Sequence, residues 1–82
     1  MVTITPNSSA VSLIRLGSDF AQVHFVGGNK MYNYDLVTND EFETVSDVVR
    51  YLTGENVSVG RRINALIKSG VFTKVEDNYD YA

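Results

Sequence analysis

The chain has 82 residues, no cysteine, a single histidine and a formal net charge of −3. That rules out disulfides, thiolate-held metals and histidine-rich metal clusters, and it allows one domain near the lower limit of what folds alone. No apolar run approaches the roughly 20 residues that span a bilayer, and residues 1–6 lack the charged start and apolar stretch of a secretory leader.

A core this small gains from burying more surface between copies, so a homo-oligomer is expected, and the lack of cysteine is compatible with a reducing cytoplasm. Asn7-Ser8-Ser9 and Asn56-Val57-Ser58 match the glycosylation sequon; without an export signal they read as chance matches. Charge is unevenly spread. Residues 1–49 carry six acids and two bases, residues 50–75 five bases and one acid, and residues 76–82 three acids. Local sign steers a ligand more than the total does. The plain alternative is an ordinary mixed surface.

Residues 1–10 are small and polar, with Pro6, and read as an arm or short edge strand. Val11-Ser12-Leu13-Ile14-Arg15-Leu16 is rich in branched residues and stops at Gly17-Ser18-Asp19, a strand and a turn. Residues 20–26 alternate, with Ala21, Val23 and Phe25 on one face and Gln22 and His24 on the other. Gly27-Gly28-Asn29 supplies a hairpin turn. Residues 30–37 alternate again and put Tyr32, Tyr34 and Leu36 on one face. These segments predict a three-stranded antiparallel meander.

The period then changes. Thr38-Asn39-Asp40-Glu41 fits a capping box, with Thr38 as N-cap and Glu41 at N3. Phe42, Val45, Val48, Val49 and Leu52 recur on one helical face, and Gly54 reads as the C′ stop. Ser58 is a good N-cap for a second helix, with Val59, Ile63, Leu66 and Ile67 as its apolar stripe and Gly70 as its end. Residues 71–75 read as a final strand or an extended arm, and residues 76–82 as a flexible acidic tail. The expected architecture is a single α+β domain over 1–82, ordered β-β-β-α-α-β, with both helices on one sheet face.

Two groups of residues are candidates for ligand binding. Tyr32 and Tyr34 share a strand face, where aromatic rings stack bases in sheet-based RNA binders; the same rings serve equally well as core under the helices. Ser58, Gly60, Arg61 and Arg62 gather at a helix start, where unpaired N–H groups favour an anion, glycine admits close approach and guanidinium groups grip phosphate. The alternative is that Ser58 only caps the helix and the arginines pair with acids such as Glu55. Asn64 and Lys68 lie on one helix face with Arg61 and either extend that surface or face water. The glycine spacing and ending of a P-loop are missing. His24 reads as a surface residue. No nucleophile has an evident base and orienter, and the acids at 40, 41 and 43 suit a helix first turn, so an enzyme is not expected.

The order Ser8-Ser9, Gly27-Gly28 hairpin, Tyr32-Asn33-Tyr34, then Ser58-Val59-Gly60 with Asn64 and Ile67-Lys68, resembles the KTSC domain family, over roughly residues 8–72. That family is a short module also found at the C-terminus of some lysyl-tRNA synthetases. The chain departs from its pattern in lacking a Val-Pro after the second tyrosine, where Leu36-Val37-Thr38 stands, and in carrying Phe20 where a tyrosine is usual. The resemblance implies a small accessory domain with RNA binding, and a phage origin, since short free-standing copies occur in bacterial and phage genomes. Residues and resemblance together lead to a non-catalytic module for a phosphate-bearing ligand, RNA or a small or cyclic nucleotide. In a phage, such a module would sequester a nucleotide signal of host immunity. The rival reading is a protein-interaction adaptor that engages a partner through its aromatics and the Tyr79-Asp80-Tyr81 tail.

Overall fold

The computed structural model describes residues 1–28, 30–54, 56–75 and 79–80. Alternating branched and aromatic residues build one antiparallel sheet from β1 (Val2–Ile4), β2 (Val11–Leu16), β3 (Phe20–Phe25), β4 (Lys30–Leu36), β5 (Phe72–Lys74) and β6 (Tyr79–Asp80). The strands lie in the order β1-β2-β3-β4-β5. The meander therefore has four strands, not three: residues 2–4 pair with residues 14–16 and make the N-terminal arm an edge strand. β5 pairs with β4 at Tyr34–Lys74 and Leu36–Phe72, and β6 pairs with β4 at Lys30 and Met31. The remainder of the expected 76–82 tail lies outside the described residues.

Cross-strand register decides which side chains meet. Ile14, Val23 and Tyr32 stand opposite one another in turn, as do Leu16, Ala21 and Tyr34. They occupy the face that receives the helices, and Ile14, Leu16, Ala21 and Val23 are fully buried. Strict alternation would turn Val11 away from Ile14. A register shift between Val11 and Leu13 brings Val11 onto the same face, where it is also fully buried; an extra residue in one strand reverses the facing of what precedes it.

Two helices, α1 (Val45–Thr53) and α2 (Val59–Lys68), are inserted between the neighbouring strands β4 and β5. The expected start of the first helix at Thr38 is not observed. Two Thr-x-x-acid boxes compete, and the second forms: the Thr44 hydroxyl accepts the Asp47 amide at 3.3 Å, and the Asp47 carboxylate accepts the Thr44 amide at 2.9 Å. Residues 37–42 have other partners. The Val37 amide donates to the Val71 carbonyl at 2.8 Å, and the Asn39 side chain accepts the amides of Glu41 and Phe42. This turn delivers Phe42 into the core ahead of the helix rather than as part of it.

The helix ends also differ from each other. Gly54 takes the C-cap position of α1 in an extended conformation, φ −63° and ψ 156°, and is not the left-handed C′ residue that the sequence predicts. α2 has one. Gly70 sits at φ +85°, its amide donates to the Ile67 carbonyl, and the Val71 amide reaches back to Leu66 at 3.0 Å. That pair of bonds is a Schellman closure, with Val71 and Leu66 both buried beside it. Val48 and Leu52 from α1, Val59, Ile63 and Leu66 from α2, and Phe72 from β5 complete the core over the sheet face.

Candidate functional site

The helices leave part of their sheet face uncovered, at the end nearest the β3–β4 hairpin. There Phe25, Gly28, Tyr32, Tyr34 and Lys74 line a cavity of about 420 Å³. β3 supplies Phe25, β4 both tyrosines, and β5 the lysine. Phe25 and Tyr32 meet edge to face, with centroids 5.3 Å apart and planes at 78°. They form two walls of a corner. Tyr34 is stacked on Phe72 at 5.6 Å and is only 6% exposed, so its ring belongs to the core while its edge reaches the cavity. Burial, with Tyr32 alongside, holds its phenol above the ordinary tyrosine value. The Lys74 ammonium lies over the Tyr32 ring, 5.8 Å from its centre, and is the cation among the described lining residues.

The second group is divided by the helix it sits on. Ser58 occupies the N-cap position of α2, but its hydroxyl makes no capping hydrogen bond. Gly60 faces the start of β2: an added Cβ would lie 3.8 Å from that of Ala10. The Ala10 carbonyl takes the Val26 amide at 2.9 Å, one residue beyond the cavity wall at Phe25. The start of α2 and the aromatic corner therefore share one end of the sheet. Arg61, Asn64 and Lys68 are exposed along the outer face of α2, and Arg61 has no acidic partner among the described residues. Arg62 points to the other flank. Its Nη1 donates to the Tyr51 carbonyl at 3.0 Å, and its guanidinium lies 4.4 Å over the Tyr51 ring. Tyr51 stands in the last turn of α1, whose carbonyls have no partner within the helix. Arg62 thus joins the two helices and serves as the cap that Gly54 does not provide. The expected pairing with Glu55 falls on a residue outside those described.

Three members of the corner escaped the sequence reading: Phe25, Gly28 and Lys74. Phe25 was placed on the correct face, but nothing in its own strand indicated that the helices would stop short of it. Lys74 follows Phe72 by two residues and so shares its face. The signal was present, and it required knowing that β5 lies beside β4. A second cavity, of about 560 Å³, runs between residues 4–7 and 52–59 and bears neutral side chains among the residues described. His24 is half-buried on the sheet face away from the helices. No helix among the described residues is long and apolar enough to cross a membrane, and no cluster of three or more metal-ligating side chains occurs among them. Comparison with family models, curated proteins and solved structures finds no match.

Proposed function

We propose that the protein is a non-catalytic binding module for a phosphate-bearing nucleotide, with the base against the Phe25–Tyr32 corner and the phosphate at Lys74. The observation that carries this reading is the cavity itself: aromatic walls and one cation on an uncovered part of the sheet. A base stacked on an aromatic side chain gains about 1–3 kcal/mol, and every base offers a face to stack. The Tyr34 hydroxyl, protonated at physiological pH as any tyrosine is, can donate to a base or sugar oxygen at the rim. Arg61, exposed at the start of α2, adds positive potential at this end of the sheet.

The test is a thermal-shift panel of nucleoside mono-, di- and triphosphates, cyclic nucleotides and short RNAs. A ligand present at 100 times its Kd stabilises a fold by about 2.7 kcal/mol. In a domain this small that raises Tm by on the order of 10 °C. Tyr32→Leu should abolish the shift while preserving the far-ultraviolet circular dichroism. If no member of the panel moves Tm, the proposal is wrong.

A further inference from the structure

We infer that the corner reads one base and one phosphate, so that its ligand is a nucleoside monophosphate, open or cyclic, rather than a polyphosphate or an RNA strand. This rests on the nucleotide reading above and goes further in three respects. The first is aromatic supply. Proteins that follow a single strand stack successive bases on successive rings. Here the other rings are committed among the described residues. Tyr34 and Phe72 are stacked on each other and buried, Phe42 is buried against Tyr51, and the Tyr51 face is covered by Arg62. Phe20 lies over Gly17, where an added Cβ would come within 2.0 Å of its ring. Of the two edge-to-face pairs among the described residues, Phe42–Tyr51 has its Phe42 ring buried and Phe25–Tyr32 lines the cavity, where a planar base resting on one ring presents its edge to the other.

The second respect is charge. Among the described residues Lys74 is the single cation lining the cavity, which matches one phosphate. Arg62, the next arginine in the sequence-derived set, is spent on Tyr51. The third is size. At about 420 Å³ the cavity is near the small end of ligand sites, which run from roughly 300 to 1,000 Å³. One nucleotide suits it, and a second would project into solvent.

The chain has five tyrosines and no tryptophan, so the part of a ligand-induced change in tyrosine emission that is lost in Tyr32→Leu reports on stacking at Tyr32. The experiment titrates adenosine, AMP, 3′,5′-cyclic AMP, ADP, ATP, the dinucleotide ApA and a ten-nucleotide oligo(A) against the wild-type protein, with the guanine series in parallel. AMP or its cyclic form should bind on the order of tenfold more tightly than adenosine, or better, the contribution of one charged hydrogen bond. ADP, ATP, ApA and oligo(A) should gain no more than threefold over the monophosphate. Lys74→Gln should bring nucleoside and monophosphate to equal affinity; the comparison on wild-type protein decides the question even where that variant folds poorly. A gain above threefold with added phosphates or nucleotides, or a nucleoside that binds as well as its monophosphate, overturns this inference and leaves the nucleotide reading standing. No binding by any of these compounds overturns that reading itself.

Discussion

Arg62 offers the sharpest test of how the helical layer is held. Arg62→Met keeps most of the aliphatic stem and removes the charged head. Three contributions go with it: a charged hydrogen bond to the Tyr51 carbonyl, a cation–π contact at 4.4 Å, and a positive charge at the C-terminal end of α1. A hydrogen bond to a charged group contributes about 1.5–3 kcal/mol and a cation–π contact at a partly exposed site about 0.5–1 kcal/mol. Arg62 is half-buried, which places the hydrogen bond at the lower end, and the contributions overlap because they share one guanidinium. The expected loss is about 2–3 kcal/mol, or on the order of 10 °C in Tm for a domain of this size. Urea unfolding followed at 222 nm measures the free energy directly, with Arg61→Met as the control. Arg61 has no ion-pair partner among the described residues and should shift stability by less than about 0.5 kcal/mol. A loss below about 0.5 kcal/mol for Arg62→Met, together with weakened nucleotide binding, would show that this guanidinium serves a ligand and does not tie the helices.

Three further outcomes follow from the described contacts. Thr44→Ala should cost about 1 kcal/mol in urea unfolding and Thr38→Ala close to nothing, because only Thr44 caps a helix; the reverse order would put the helix start back at 38. Gly60→Ala should stabilise by about 0.5–1 kcal/mol by calorimetry, since a Cβ there meets only Ala10 at 3.8 Å and alanine is the better helix former; destabilisation would mean that the fold needs that glycine. Tyr34 should make stability fall in alkali. Burial, then Tyr32, raises its folded pKa above 10.0, so the folded chain retains a proton that the unfolded chain releases. The stabilisation is complete below pH 10.0 and is lost as the pH climbs toward the raised value. Urea midpoints from pH 9 to 11 should decline less steeply for Tyr34→Phe, and identical slopes would remove Tyr34 as the cause.

How much of this was legible in the sequence depends on the range of the forces involved. β2, β3, β4, α2 and β5 follow from local alternation and helical period, and Gly70 marks the end of α2 by its own backbone requirement. The start of α1 was misplaced because two capping boxes compete within ten residues, and tertiary demands chose between them: pairing of Val37 with Val71 and burial of Phe42. Both partners lie beyond any local window. The expected binding set divided for a similar reason. Tyr32 and Tyr34 share a face by simple alternation, and they do line the cavity. Arg61 and Arg62 are adjacent in sequence, yet successive helix positions point about 100° apart, and the position of α1 determined which of the two was consumed. Lys74 became visible only once β5 was set beside β4.

The insertion of both helices between β4 and β5 has a consequence for biosynthesis. Phe72 seals the core and Lys74 completes the cavity, and both belong to a strand translated after β1–β4, α1 and α2. A nascent chain that has emerged only as far as α2 holds an open sheet edge at β4 and an unsealed apolar layer. Such edges are templates for wrong pairing. The interval before β5 emerges is therefore when the polypeptide is most exposed to aggregation, and the cavity gains its Lys74 wall only once that interval has passed.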